Sequence, residues 1–118
     1  MAKSDELSQT YIRFLNLVAA VRKLPSVPAL DAIEEKVLSG LGTAWAAGRQ
    51  VTVLQAMDMP SDTSPTTVHR RLKSLRQKGL IRLQEDETDN RTKFVVPTEL
   101  TRTYFAKLGQ CVQAAAKG

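Results

Sequence analysis

Cysteine and histidine are almost absent from this chain of 118 residues, which has one of each, Cys111 and His69. A single cysteine excludes an internal disulfide framework and a cysteine-rich zinc site. One histidine with no cysteine nearby leaves too few ligands for a metal centre. We therefore expect neither a metal nor a cofactor. Cys111 is either a small buried hydrophobic residue, which we favour, or a redox-sensitive thiol.

Long apolar runs and targeting signals are missing as well. No run approaches the roughly 20 residues of a membrane helix. The segment 1–6 mixes acidic and basic residues and leads into no apolar core with a cleavage site, unlike a signal peptide. Neither a Gly-rich phosphate loop nor a convergent group of carboxylates stands out, so no catalytic set can be named. We expect a single-domain cytoplasmic protein, not an enzyme and without a membrane partner.

Acidic residues are missing from one stretch of the chain. The net charge is +5, but residues 1–62 carry −1 and the remainder carries +6. Residues 64–82 contain no acid and six bases: Arg70, Arg71, Lys73, Arg76, Lys78 and Arg82. Such a local electropositive element suits a polyanionic partner, although a solvated helix face is the alternative.

Hydrophobic periodicity predicts a mainly α-helical chain with a small β-hairpin, in the order α-α-α-α-β-β-α. The predicted helices are 4–23, 29–47, 53–57, 64–79 and 99–116. Residues 80–84 and 91–96 alternate as strands around a polar turn, with an extra short strand at Val51. Thr52, Ser64 and Thr98 are good helix N-caps, and Pro65 suits the first turn of a helix.

The predicted helix 64–79 has two contrasting faces. Val68, Leu72 and Leu75 project within about 60° of each other and suit a core. Thr66, Arg70, Lys73 and Gln77 project on the opposite side, with His69 and Ser74 at its edges. A short helix, a turn, a basic helix and a hairpin form the layout of a winged helix-turn-helix, whose second helix enters the DNA major groove.

The helix and hairpin together supply a candidate DNA-binding set. Arg70 suits a bidentate contact with guanine, whereas Lys73 and Arg76 suit phosphates. Arg71 lies nearer the apolar face and is expected to pair with an acid of another helix. His69 and the hairpin bases could also be ordinary surface residues. The full set is Ser64, Thr66, Thr67, His69, Arg70, Lys73, Arg76, Arg91 and Lys93.

Two segments resemble a known family. The run 64–81 looks like the recognition helix and first wing strand of bacterial winged-helix regulators. The run 89–98, Asp-Asn-Arg-Thr-Lys-Phe-Val-Val-Pro-Thr, is similar to the Asp-x-Arg…Leu-Thr signature of the MarR family. The resemblance covers Val51–Thr98. It implies that Arg91 contacts the minor groove and that Asp89 orients it, although this wing tip carries four acids.

The terminal helices predict a homodimer. Residues 29–97 would form the winged-helix core, and 1–24 and 98–118 would be dimerisation helices. The apolar stripes of the two terminal helices are larger than one small core needs. The alternative is that these helices pack on their own domain. Trp45 is expected in the core, with the wall of a ligand pocket as the other interpretation. The candidate interface is Tyr11, Phe14, Val18, Val21, Tyr104, Leu108 and Val112.

Two functions from different classes follow. The first is a sequence-specific regulator of transcription that binds double-stranded DNA, with helix 64–79 in the major groove and the wing 80–96 at the minor groove. The alternative is a winged-helix module for protein interaction or assembly. The acid-free stretch 64–82 favours the first, and the acidic wing tip favours the second. A small-molecule effector is possible, but no residue pattern identifies one.

Overall fold

The computed structural model describes residues 2–118, with the side chain of Ala2 left aside. Five helices and three strands follow the predicted order and confirm the mainly helical winged-helix fold. Their bounds are α1 Ala2–Arg22, α2 Ala32–Ala46, β1 Val51–Thr52, α3 Val53–Asp58, α4 Pro65–Gln77, β2 Ile81–Glu85, β3 Lys93–Pro97 and α5 Glu99–Lys117.

Side-chain caps determine where the inner helices begin. Ser64 accepts a hydrogen bond from the Thr67 amide, as its predicted role as N-cap requires. The predicted start of α2 at residue 29 is wrong. Asp31 accepts from the Glu34 amide at 2.7 Å, and Glu34 accepts from the Asp31 amide at 2.8 Å. This reciprocal capping box satisfies two backbone donors and starts α2 at Ala32.

The three strands form one antiparallel sheet in the order β1-β3-β2. Val95 of β3 lies opposite Val51 on one side and Leu83 on the other. The predicted second strand of the hairpin began at residue 91, but β3 begins at Lys93. Arg91 and Thr92 belong to the preceding turn, because the Thr92 amide donates to the Asp89 carbonyl at 3.0 Å.

The chain divides into two compact units. The first, here called the winged unit, comprises residues 30–101 and contains α2 to β3. Its core includes the fully buried Leu38, Leu75 and Val95. Trp45 is half-buried and donates from its indole nitrogen to the Val95 carbonyl at 3.0 Å, which ties α2 to β3.

The second unit, here called the helical unit, comprises the described residues up to 29 together with 102–118. Its buried residues include Val18, Tyr104 and Cys111. Arg13 donates to the Ala115 carbonyl at 3.2 Å and so bridges α1 and the end of α5. The burial of Cys111 favours the interpretation as a small hydrophobic residue.

Residues 2–118 contain neither a candidate membrane span nor a candidate metal cluster. None of the helices described has the combined length and apolar character needed to cross a bilayer. Nor do the described residues hold three or more His, Cys, Asp or Glu side chains placed to bind a metal ion.

Candidate nucleic-acid interface

Helix α4 buries one face and exposes the other, as its sequence predicts. Val68 and Leu75 are fully buried, and Leu72 is nearly so. Of the candidate contacts, Thr67 is half-buried and the others on this helix and its cap are exposed: Ser64, Thr66, His69, Arg70, Lys73 and Arg76. A polar face backed by a core is what a helix needs to lie in the major groove.

The hydroxyls at the start of α4 are already engaged. Ser64 accepts from the Thr67 amide at 3.2 Å and donates to the Thr67 hydroxyl at 2.9 Å. The Ser64 hydroxyl therefore has a capping role within the chain.

Two of the six bases in the acid-free stretch are held by acids of the α2 start. Arg71 lies with its Nε 2.9 Å from Asp31 Oδ2, although the N–H does not point at the oxygen. This is the acid partner from another element that the helical projection predicted. Lys78 donates to both carboxylate oxygens of the buried Glu34, at 2.8 and 2.9 Å. The Ser74 hydroxyl also donates to Glu34, at 2.5 Å.

Glu34 is the buried centre of this cluster, which we call the α2–α4 clamp (Asp31, Glu34, Arg71, Ser74 and Lys78). Burial by itself raises the pKa of the Glu34 carboxyl. The hydrogen bonds from Lys78, from Ser74 and from the Asp31 amide outweigh that effect, so the pKa lies below its ordinary value. The clamp holds the buried side of α4 against α2. Because Arg71 and Lys78 are paired with acids, they add little to the positive charge of the exposed face of α4. The sequence pattern did not predict the pairing of Glu34 with Lys78, although Arg71, Ser74 and Lys78 share one face of the helix at a spacing that could have indicated it.

The wing between β2 and β3 presents Arg91 to solvent. Its side chain is 91% exposed, and Asp89 anchors its base. Asp89 Oδ1 accepts from the Arg91 amide at 3.1 Å and from Arg91 Nε at 3.4 Å, while Oδ2 accepts from the Thr92 hydroxyl at 3.1 Å. These bonds, led by that from the Arg91 amide, lower the pKa of Asp89. The geometry matches the orienting role that the family resemblance implies for Asp89.

A second acid also builds the wing tip. Asp86 accepts from the amide and hydroxyl of Thr88, both at 3.0 Å. Its own amide donates to the Thr92 carbonyl and closes the turn. Two of the four wing-tip acids are therefore structural acceptors, whereas Glu85 and Glu87 are exposed.

A groove of about 540 Å³ lies between α4 and the wing. It brings His69 of α4 together with Arg91 and Lys93 of the hairpin, more than 20 residues further along the chain. Its other walls include the apolar side chains of Leu54 and Leu83. Leu54 is 75% exposed and was not among the candidate DNA contacts, which were all polar or charged residues.

In the helical unit the predicted dimer residues differ in exposure. Tyr11 and Val112 are more than half exposed and line an apolar groove with Phe14. Phe14, Val21 and Leu108 are half-buried. Val18 and Tyr104 are already buried within the single chain and have little surface left for a partner.

Comparison with known proteins identifies the fold. No family model matches the chain, and no curated protein matches it closely. Among solved structures, YusO from Bacillus subtilis matches with a TM-score of 0.61 and 16% identity, over 98% of this chain and 74% of that one. A MarR-family transcriptional regulator from Rhodococcus sp. RHA1 matches with a TM-score of 0.55 and 21% identity, over 93% and 72%.

A third structure adds a regulated DNA-binding protein. BpsR from Bordetella bronchiseptica, whose DNA binding is regulated by 6-hydroxynicotinic acid, matches with a TM-score of 0.56 and 17% identity, over 94% of this chain and 74% of its own. At these identities the likeness establishes the fold. The chain therefore has the winged-helix fold that these structures share.

Proposed function

We propose that this protein is a sequence-specific regulator of transcription that binds double-stranded DNA as a homodimer. In this proposal α4 lies in the major groove, and the wing reaches the minor groove and the backbone. The observation that carries the proposal is the exposed face of α4, which contains no acid. This face remains basic even when Arg71 and Lys78, which are paired with acids of the α2–α4 clamp, are not counted. Its fold neighbours include transcriptional regulators, which supports the same conclusion.

Within the DNA-binding set the geometry suggests distinct roles. Arg70 and Lys73 stand one turn apart on the exposed face, where a guanidinium can fork onto guanine and an ammonium can meet a phosphate. Thr66 and His69 complete the face, and Arg76 extends it toward the C-terminal end. Arg91 supplies the minor-groove contact. Ser64 acts through its cap rather than through a direct contact.

The competing proposal is a winged-helix module for protein interaction or assembly. The exposed acids Glu85 and Glu87 are the observation in its favour. A protein-binding surface would not require four exposed bases in the acid-free stretch: Arg70, Lys73, Arg76 and Arg82. Charge placement therefore favours DNA.

The dimer is proposed through the helical unit. Leu7, Tyr11 and Val112 expose more than half of their surface around one apolar groove. Leucine and aromatic side chains are costly to leave in water and are typical of interface centres. A two-fold dimer would present two recognition helices to half-sites about 34 Å apart.

Salt-dependent binding to duplex DNA tests the function. Fragments selected from genomic DNA would be titrated with the protein at several salt concentrations. We expect a slope of log K against log salt of several units, which falls by about one in Arg70→Ala and in Lys73→Ala. Binding that is absent or insensitive to salt would overturn the proposal.

Arg49→Ala is the matched control. Arg49 is an exposed base of the winged unit. It precedes β1, whose antiparallel pairing with β3 places it toward the Pro97 end of the sheet, away from the wing tip. The control removes the same charge and should leave the salt slope unchanged.

A further inference from the structure

We propose that the groove between α4 and the wing seats one sugar–phosphate strand of the duplex, with Leu54 packed against a deoxyribose. The inference rests on the proposed function and adds an apolar contact to the contacts of the charged residues. It assigns a role to the most exposed of the large hydrophobic side chains described in residues 2–118.

The position of the groove follows from the docking geometry. With α4 in the major groove and the wing at the adjacent minor groove, the ridge between those two grooves is a single backbone strand. The protein surface between α4 and the wing must therefore accommodate that ridge. The cavity of about 540 Å³ that is lined by His69 of α4 and Arg91 of the wing has this location.

The chemistry of the groove matches a nucleic-acid strand. Arg91 and Lys93 supply positive charge, and its lining contains no acid. Val53, Leu54 and Leu83 supply an apolar part of the lining, and His69, Thr52 and Thr92 complete it. A DNA strand alternates charged phosphates with sugars whose C–H faces are apolar. The basic side chains of the groove can therefore contact phosphates, and its apolar side chains can contact sugars. A protein partner of this groove would need an acidic segment that also carries apolar groups, and no observation calls for one.

Leu54 is uncharged, so its contribution to DNA binding should not depend on the salt concentration. It exposes 75% of its surface, so it contributes little to the core of the winged unit. Its burial against a sugar would remove apolar area from water. A 2′-hydroxyl at that sugar would be placed against the leucine without a hydrogen-bond partner. The groove should therefore disfavour a ribose at this one position.

The first experiment compares salt dependence in two variants. Leu54→Ala should weaken binding to a selected DNA fragment about five- to tenfold at every salt concentration, with the salt slope unchanged. Lys93→Ala should instead lower the slope by about one. Met59→Ala is the control, because Met59 is a partly exposed apolar residue of the same unit that lines a different cavity. Thermal melts would establish that each variant is folded.

The second experiment introduces single ribonucleotides along one strand of the same duplex. A ribonucleotide at one position of that strand should weaken binding by the wild type several-fold and leave the affinity of Leu54→Ala unchanged. Equal affinity of the wild type and Leu54→Ala at all salt concentrations would overturn the inference while leaving the proposed function intact. A change in oligomeric state without a change in DNA affinity would also overturn it, because Leu54 would then face protein. A wild type that does not bind DNA would overturn the proposed function and this inference with it.

Discussion

Asp89 and Glu87 are both wing-tip carboxylates, and their surroundings give them opposite expected effects on DNA binding. Asp89 receives hydrogen bonds from two groups of Arg91 and from Thr92. Glu87 is exposed. Each would repel phosphate, but only Asp89 also fixes the turn that presents Arg91.

We predict that Asp89→Ala weakens DNA binding and that Glu87→Ala strengthens it slightly. Both substitutions remove one negative charge, so simple electrostatics predicts the same sign for both. Loss of the Asp89 acceptor releases Arg91 from its turn, and this loss should exceed the gain from reduced repulsion. Fluorescence anisotropy with one selected fragment at a fixed salt concentration would measure both. Tighter binding by Asp89→Ala would show that the carboxylate has no orienting role.

Glu34 is the residue on which we expect stability to depend most at acid pH. Its pKa is lowered in the folded protein, because its hydrogen bonds to Lys78, Ser74 and the Asp31 amide outweigh burial. A carboxyl with a depressed pKa contributes stability above its ordinary value of 4.5, and the contribution is lost as the pH falls through the folded value.

We predict that Glu34→Gln lowers the free energy of unfolding by about 1–2 kcal/mol at neutral pH. Glutamine retains the capping box but loses the ion pair with Lys78. Because Lys78 is partly exposed, water limits the penalty. Denaturant titrations at neutral pH and below pH 4.5 should show the difference from the wild type shrinking on acidification. Asp62→Asn, at the exposed pair with Lys36, is the control and should change little. A difference that does not vary with pH would contradict the assignment.

At the scale of elements, α4 and the residues that cap it combine a buried face, the α2–α4 clamp and an exposed basic face. Its sequence predicted the cap at Ser64, Pro65 in the first turn and the buried face, because each depends on local chemistry or helical period. The clamp could not be predicted in the same way. Glu34 and Lys78 are separated by 44 residues, and only the packing of α2 on α4 brings them together.

The boundaries that sequence analysis misplaced have local causes that propensity does not capture. The start of α2 depends on which of several residues acts as the cap, and the Asp31–Glu34 box decides it. The start of β3 depends on Asp89, whose side chain and carbonyl hold the next residues in a turn. Leu54 was missed for another reason, since exposure of a leucine depends on which face of a six-residue helix meets the core.

We predict that two substitutions of Ser64 separate capping from DNA contact. Ser64→Ala should destabilise the protein by about 1 kcal/mol through loss of the N-cap. Ser64→Asp retains a capping acceptor and suits the helix N-terminus, so it should melt near the wild-type temperature. Its carboxylate would nevertheless face phosphates and weaken DNA binding. Thermal melts and anisotropy titrations would be run on both. Wild-type affinity in Ser64→Asp would place the start of α4 away from the DNA.

At the scale of the whole molecule, the division into a winged unit and a helical unit suggests separate tasks. The candidate DNA contacts all lie in the winged unit. The large exposed apolar side chains are mostly in the helical unit: Leu7, Tyr11, Ile12, Leu15, Leu24 and Val112. The sequence pattern indicated both terminal stripes, but it could not separate residues that are buried in one chain, such as Val18 and Tyr104, from those left for a partner.

We predict that Val112→Glu yields a folded monomer with weaker DNA binding. Val112 is 56% exposed on α5, so a glutamate there remains solvated in one chain but would be buried unpaired in the proposed interface. Light scattering after size exclusion would show the wild type as a dimer and the variant as a monomer. Gln113→Glu, at the next residue, which is also exposed, adds the same charge and should remain dimeric.

The same variant tests how the dimer contributes to affinity. If two recognition helices engage two half-sites, the second contact is intramolecular, and its loss should weaken binding to a palindromic fragment by more than tenfold. Binding to a single half-site should change little, because the winged unit is untouched. A Val112→Glu protein that remains dimeric would place the interface elsewhere in the chain. A monomer with undiminished affinity for the palindrome would show that each winged unit binds DNA independently.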